Sequence, residues 1–575
     1  MSGIQGLGSA ISGLNAAQAG LYVTGHNMAN SGIEGYSRQR VNQADYRYRD
    51  VGRTANGVLQ VGLGTDISDI RQLRWKFYDD AYRAENGRLG FYGAKAAAGA
   101  EIEGIIGENQ SQYRFQLVIQ DLWNSLHELS MNPDSQANRL GFIETCGTFV
   151  DKANDVFARL LDYQRNLNGQ IVEAVGRVNA AVSEIDGLNR RIKAAEASGD
   201  RANDLRDRRN LLLDELSGLV SIGYRESPDG SVNILAEGKE LLVNGAQNRL
   251  GLRYTSGDNA FVEPVFTRSE NVLPSDAAAD TYIPLFRFDS PVDARHANDV
   301  GSLKGMLMCR GTRPVTYLGA AAYSAPVNPG PASPGYPAYL AARRNYDNDL
   351  YSAENCFIPK IMRQADQICH SVMTMVNGAF APAAGGVLPA GGPYDAFGLS
   401  SGTEIFARKN TPRWDASTAP PALIPENPGD YYSLYTIGNV FLNPELLLDG
   451  GYNKICLSAS GDREDNTLIQ SLLAAWKQNT VDMGPLGTLS VDEAYRRLTA
   501  GLGAETKEAS GFAADQAVLT DQADKKRYSV MGVSLDEEMK NMMTYQYAYS
   551  AAARILNAVD SMLDRVINRT GRIGL

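Results

Sequence analysis

Apolar residues recur at alternating intervals of four and three near both ends of the chain. Leu7, Ile11, Leu14 and Leu21, with Gln18 filling the gap, mark one stripe within residues 1–30. Leu535, Met539, Met542, Gln546, Tyr549, Ala553, Leu556, Leu563 and Ile567 mark another, broken at Asp560. This is the spacing of a coiled-coil seam, and it predicts two terminal helices that pair and self-assemble. A second stripe (Ala552, Ile555, Val559, Met562, Val566) runs beside the C-terminal one. A helix apolar on two adjoining faces requires more than one neighbour. Ser534 followed by Glu537 is a capping box that opens this helix.

The two helices are unequal. The first holds Gly3, Gly6, Gly8, Gly13, Gly20 and Gly25, whereas no glycine falls between Gly532 and Gly571. Each mid-helix glycine costs roughly 1 kcal/mol against alanine. Burying a Leu or Ile returns roughly 1.5–3 kcal/mol, and only when a partner covers it. The first helix is therefore expected to depend on its partners, and both ends to be largely disordered in an isolated subunit.

Between residues 108 and 220 the helical period dominates, with Ile171, Val175, Val178, Val182, Ile185 and Ile192 as its clearest seam and a turn at Asn132–Pro133–Asp134. After Gly223 the period falls to two. Ser231–Leu235 and Glu240–Gly245 flank a turn at Glu237–Gly238 and predict a β-hairpin, within a β-rich stretch over 221–310. Ala325–Pro337 carries five prolines and reads as a linker. Helix is expected again at about 350–378 and from Asn466 onwards, with Gly/Pro-rich loops at 383–392 and 411–428.

At 575 residues the chain exceeds what one core supports, so several domains are expected. The formal charge of −11 argues against a nucleic-acid partner, and the Arg206–Arg209 run, set among acids, reads as a solvated helix face. Five scattered cysteines make no disulfide framework and read as small buried apolar residues. No long apolar run marks a membrane span, and the first cation is Arg38, so no cleaved signal peptide is expected. With four histidines, no zinc spacing and no His-Glu-x-x-His motif, neither cofactor nor metal nor catalysis is expected. Gly238–Lys239 lacks the rest of a phosphate loop, and Gly62-x-Gly64 reads as a turn. His26 reads as a packed or hydrogen-bonded structural residue. Asn27 and Asn30 suit a helix C-terminus that turns back on itself. Arg38, Arg40, Tyr36, Tyr46 and Tyr48 are candidates for contact with neighbours.

Residues 14–30 run into Gly35, Tyr36, Ser37, Arg38 and Gln39, and this segment resembles the N-terminal signature of the bacterial flagellar rod/hook family: a Leu/Ala-rich helix, an Asn-x-Ala-Asn turn (Asn27, Ala29, Asn30), then Gly-Tyr. Val61–Arg71, Tyr78–Arg83 and Gly532–Met539 are similar to further parts of that family. This chain has Ile33–Glu34 where many relatives have Thr-Pro before the Gly-Tyr. Asp121–Asp134, Asn203–Ser217 and Gly438–Asp449 resemble the member that joins hook to filament. The long helical insert separates it from hook and distal-rod proteins, which turn to β structure early. The resemblance implies a ring of subunits contacting the hook protein on one side, and a second junction protein and flagellin on the other. It also implies type III export without a cleaved signal, an export chaperone at the C-terminal helix, and an extracellular place in the flagellum.

The expected fold is a multidomain α+β chain. A discontinuous terminal coiled-coil core spans 1–95 and 525–575. A helical-rod domain spans 96–220 and 461–524, with the helix near 350–378. An inserted β-rich outer domain spans 221–349 and 379–460. Two readings stand beside the junction subunit: another axial component such as the hook or distal rod protein, and a secreted adhesin or enzyme displayed on a polymer core.

Overall fold

The N-terminal stripe forms helix α1, Ser2–Ala29. It ends where Asn30 turns back, its backbone N–H and its side-chain Nδ2 both donating to the His26 carbonyl. A computed structural model describes residues 2–54, 57–107, 115–255, 261–267, 272–278, 281–288, 292–318, 356–483 and 486–569. The proline-rich segment 325–337 and the start of the helix expected near 350 lie outside the described residues.

The segment between α1 and the next helix departs from the all-helical expectation for 1–95. Strand β1 (Gln39–Asp45) pairs antiparallel with β4 (Thr65–Gln72), and β2 (Tyr48–Thr54) pairs with β3 (Gly57–Gly62). Tyr46 N–H donates to the Gly64 carbonyl and Leu63 N–H to that of Arg47, which joins the two ladders into one ribbon. The ribbon is mostly polar and exposed, so it carries no alternating apolar face that would have signalled strand.

Helices α2 (Lys76–Ile106), α3 (Phe115–Met131), α4 (Gln136–Glu196) and α5 (Asn203–Leu219) follow. The turn at 132–134 separates α3 from α4, and the seam from Ile171 to Ile192 is buried throughout. β5 (Ile222–Glu226), β6 (Val232–Ala236), β7 (Lys239–Val243) and β8 (Ala246–Gln247) form a meander. Its β6–β7 turn places Glu237 and Gly238 at positive φ, as a two-residue hairpin turn requires. A second four-stranded sheet, in the order β11-β9-β10-β12, comprises β9 (Leu250–Tyr254), β10 (Val262–Thr267), β11 (Val272–Leu273) and β12 (Tyr282–Pro284). The β-rich stretch ends sooner than expected, because Ser302–Arg310 forms α6.

Helix α7 (Phe357–Phe380) is followed by a stretch that is far less regular than the β-rich reading of 379–460. It holds short ladders, β13 (Phe406–Arg408) with β16 (Val440–Leu442) and β14 (Trp414–Asp415) with β15 (Ala422–Leu423), among 3-10 turns. Buried side chains replace the ladder here. Asn377 Oδ1 accepts from the N–H groups of Ile405 and Phe406 while its Nδ2 donates to the Phe406 carbonyl. Asp366 accepts from the backbone of Tyr317 and Ile437 and from the Thr436 hydroxyl. Helix α8 (Thr467–Trp476), the ladder β17 (Val481–Asp482) with β18 (Thr488–Leu489), α9 (Val491–Met531) and α10 (Leu535–Arg569) complete the chain.

These elements pack as two compact units. One comprises residues 1–89, 177–249 and 515–575, and the other residues 90–176 and 250–514. The grouping cuts across the three segments expected from the sequence, because α5 and the β5–β8 meander pack with the two termini. In the first unit Asn189 of α4 exchanges two hydrogen bonds with the Val232 backbone of β6, and Gln247 of β8 donates to Asp186. The second unit is held by an aromatic core in which Phe115 packs on Phe149, Phe149 on Phe406, and Phe142 on Phe380. All five cysteines are buried thiols, and burial raises the pKa of Cys146, Cys309, Cys356 and Cys369.

The terminal helix pair and its polar anchor

Within the first unit α1 packs along α10. The buried positions on α1 are Ala10, Ala16, Ala17, Gly20, Val23, Thr24 and Asn27. Ala10, Ala17, Gly20, Thr24 and Asn27 recur at intervals of seven, three, four and three, so the buried face is one of small residues. Small side chains let two helix backbones approach closely, and Gly20 is where α10 comes nearest. A Cβ built there would lie 2.5 Å from the Tyr545 ring. Of the expected stripe, Leu7, Leu14 and Leu21 are only half-buried and Ile11 is 42% exposed.

On α10 the inward face draws on both apolar stripes. Glu538, Ala552 and Val559 are buried, and Met542, Tyr545, Leu556 and Leu563 are half-buried. Leu535, Met539, Tyr549, Ile555, Met562 and Ile567 are left exposed, Ile567 at 72%. The capping box is half-formed. Ser534 Oγ accepts from the Glu537 N–H at 3.4 Å, but the Glu537 carboxylate turns to Arg38.

Asn27, 1% exposed, is the centre of the signature turn. Its Oδ1 accepts from the Gln39 N–H (2.9 Å) and the Tyr36 hydroxyl (2.8 Å). Its Nδ2 donates to the Gln39 carbonyl (2.9 Å) and to Glu538 (3.2 Å). His26 Nδ1 lies 2.9 Å from the Tyr36 hydroxyl, the structural place expected of it. Burial, with Asp204, Asp207 and Glu538 nearby, raises the Tyr36 pKa far above that of a free phenol. Gly35 takes φ +78°, which frees the chain to reverse there. Arg38 Nε then donates to Glu538 (2.7 Å) and its Nη1 to Glu537 (2.6 Å), clamping the first turn of α10. Ala29 is exposed and makes no part of this network.

The residues that the sequence reading missed lie on α5. The Arg206–Arg209 run is not a solvated face, for Asp207 and Arg209 are buried and Arg206 is held by Glu196 and Glu226. Asp207 accepts from the Ser37 N–H (3.0 Å) and hydroxyl (2.6 Å), with Arg74 3.6 Å away. Burial pushes the Asp207 pKa up to about 6 against those partners. Arg209 donates to Asn189 and to the Gly230 carbonyl, and burial lowers its pKa to about 10. Asn203 and Gln72 tie the root of the ribbon to α5: Asn203 Nδ2 donates to the Ile70 carbonyl and Gln72 Nε2 to that of Asn203. One turn further on, Asp214 takes Arg83 (2.6 Å) on one oxygen and Arg527 (2.5 Å) on the other. One short helix thus holds α1's turn, α2 and α9 by charge-assisted bonds and the ribbon by neutral amide ones. The signal available in the sequence was the Asn203–Ser217 segment itself.

This arrangement binds helices to one another. Among the described residues no group of His, Cys, Asp and Glu is placed to hold a metal ion, and no helix is long and apolar enough to cross a membrane. His370 stacks on Tyr317 at 3.8 Å and meets Glu426 at 3.0 Å. An open cleft of about 460 Å³ separates α1 from the ribbon's root, lined by Ile11, Asn15, Tyr46, Leu63, Asp66 and Ile67 among others.

Comparison with known proteins agrees with the signatures. Residues 100–280 match the family model of the flagellar hook-associated protein FlgK helical domain. Residues 528–569 match that of the flagellar basal body rod FlgEFG protein C-terminal region. Flagellar hook-associated protein 1 of Bacillus subtilis is 27% identical, with 99% of each chain covered. That of Escherichia coli is 24% identical over 98% of this chain and 99% of its own. The solved flagellar hook junction protein FlgK from Burkholderia pseudomallei is similar in fold. It has a TM-score of 0.52 at 12% identity and covers 78% of this chain and 99% of its own.

Proposed function

We propose that this chain, which belongs to the flagellar hook-associated protein 1 family, is a structural subunit seated where the flagellar hook meets the filament. The observation that carries the reading is likeness over nearly the whole chain to relatives of that name. The family is structural, and the chain is not an enzyme.

The helix pair supports a particular mode of assembly. The small-residue seam joins α1 to α10 within one subunit and leaves the large apolar residues facing outwards. Leu7, Ile11, Leu14 and Leu21 of α1, with Leu535, Met539, Tyr549 and Ile567 of α10, then form the polymerisation face. Exposed apolar stripes of this kind favour contact with further protein. Covering a fully exposed side chain of this size contributes roughly 1.5–3 kcal/mol, and covering the half-buried Leu7, Leu14 and Leu21 contributes less. On this reading a ring of copies closes by burying these stripes. The hook protein lies on one side, with a second junction protein and flagellin on the other. Met542, Leu556 and Leu563 serve the seam within the subunit instead.

Before assembly the same face would drive premature association. Type III export without a cleaved signal peptide, with an export chaperone covering α10, accounts for how such a subunit reaches the outside of the cell unassembled. Deleting the gene tests the role: cells should build hooks that end bare and shed flagellin into the medium. Filaments of normal number and length on those cells contradict it.

A further inference from the structure

The described side chains on the outer half of the β-ribbon are exposed, and they are of the kinds found at interfaces. We propose that the stretch from Tyr46 to Arg53 is an inter-subunit arm, docking through its arginines and tyrosines on an acidic surface of a second copy of this chain. The proposal rests on the junction reading and adds a second contact to it, separate from the helix stripes.

The root of the ribbon is fixed. Gly64, at φ +124°, lies so close to α1 that a Cβ there would collide with Ser12, and the Thr65 N–H donates to Ser12 Oγ at 3.2 Å. Asn203 and Gln72 hold the other side of the root to α5. Beyond Gly64 the side chains described on β2 and β3 are all exposed, and each strand pairs only with the other. A two-stranded ribbon alone in water is marginal, and its open edges are templates for another chain. A rigid root with an uncovered end is therefore a contact waiting for its partner.

Charge selects that partner. Arg47, Arg49 and Arg53 stand on the outer half, with Asp50 as the one carboxylate among them. Asp50 accepts from Gln60. Among the described residues none of the three arginines is in an ion pair, whereas Arg38 and Arg74 at the root each hold a carboxylate. Tyr46 is 49% and Tyr48 60% exposed, and the Arg47 guanidinium lies 5.5 Å over the Tyr46 ring, so that the two present one joint surface. Tyr and Arg are the residues that dominate binding energy at protein interfaces. A chain of net charge −11 offers an arm of net positive charge an attractive surface on every neighbouring copy.

The test uses the full chain in cells that assemble flagella. A photo-crosslinking phenylalanine analogue replaces Tyr48, and flagella are isolated after irradiation. The expected product is an adduct of two copies of this chain, present in flagella and absent from unassembled protein. Arg47→Glu, Arg49→Glu and Arg53→Glu together should lower its yield at least tenfold, with export and far-UV circular dichroism unchanged. An adduct to a different protein or to lipid overturns the proposal, as does no adduct from cells that carry filaments. The Tyr48 adduct decides the matter even where the triple variant fails to fold. If the deletion strain lacks filaments yet no copy-to-copy adduct forms, the arm is wrong and the junction role stands. If the deletion strain keeps its filaments, the junction role itself has failed.

Discussion

Tyr545 of α10 lies against Gly20 of α1, so that a methyl group on that glycine would sit 2.5 Å from the ring. A glycine that looked like a weakness of the helix is the point where the two ends of the chain approach. Replacing it with alanine gains roughly 1 kcal/mol of helix propensity, but overpacking costs about 1–3 kcal/mol. Gly20→Ala should therefore weaken the pairing of α1 with α10. Gly25→Ala, with open space around its Cβ, should strengthen α1 by roughly 0.5–1 kcal/mol. Amide exchange along α1 separates the two, and Tyr545→Ala should relieve the Gly20→Ala defect. Equal gains from both alanines would show that the close approach is not what sets the seam.

Asn27 should tolerate no substitution. Alanine removes four hydrogen bonds, taking the Asn27 side chain from the Gln39 N–H and carbonyl and leaving Glu538 with Arg38 alone, at about 1–3 kcal/mol for each buried group left unsatisfied. We expect Asn27→Ala to release Tyr36–Gln39 and to lower the urea midpoint of the first unit by several tenths of a molar or more. A midpoint within error of wild type would show that the turn is held elsewhere.

Asp207 makes the turn pH-dependent in an unusual direction. Its folded pKa of about 6 exceeds the ordinary 3.8. The stability it adds is complete below 3.8 and is lost as pH rises through 6. Asp366, buried in the second unit, is shifted the same way by burial. Protection of the Ser37 amide, corrected for intrinsic exchange, should rise between pH 7.5 and pH 5. In Asp207→Asn it should be flat over that range. A fall in protection on acidification of the wild-type chain would reverse the assignment.

Much of this was legible in the sequence, and the failures share a cause. The two terminal helices, the helical stretch over 108–220, the turn at 132–134, the hairpin at Glu237–Gly238 and the turning-back of Asn27 and Asn30 all follow from local periods and local chemistry. The seam between α1 and α10 did not follow, because large apolar residues give the stronger pattern while small ones permit the closer contact. The role of α5 was hidden because Asp207, Arg209 and Asp214 find partners in Ser37, Gly230, Arg83 and Arg527, many of them far away in the chain. A charge run reads as solvated when none of its partners is nearby in sequence. The ribbon at 39–72 was missed because its outer pair has no described side chain buried and its root buries only Val41 fully, among polar and apolar positions that are half-buried.

Asp214 should be costly to remove. It receives both Arg83 and Arg527, and Arg527 also lies 4.0 Å over the ring of Tyr82. Asp214→Ala leaves the buried Arg83 guanidinium with Asn210 alone and the half-buried Arg527 with Asp524, and should cost about 3–5 kcal/mol. Arg527→Ala leaves Asp214 with Arg83 and should cost less. Chemical denaturation of the two variants gives the order, and the reverse order would mean that the Arg527 contact dominates.

Ile11 and Met539 should behave in the opposite way. Both are exposed in the subunit, so Ile11→Ser and Met539→Ser should change monomer stability by no more than about 0.5 kcal/mol. If their stripes are buried between copies, the double variant should be exported yet leave hooks without filaments. Normal swimming by that variant would remove these stripes from the assembly.

On the proposed role every copy of this chain lies in one thin zone of the flagellum. Immunogold electron microscopy of intact flagella, with antibody against the full chain, tests that placement directly. Label confined to a single band where the curved hook meets the filament is the predicted result. Label spread along the hook or the filament, or absent from the boundary between them, would contradict it.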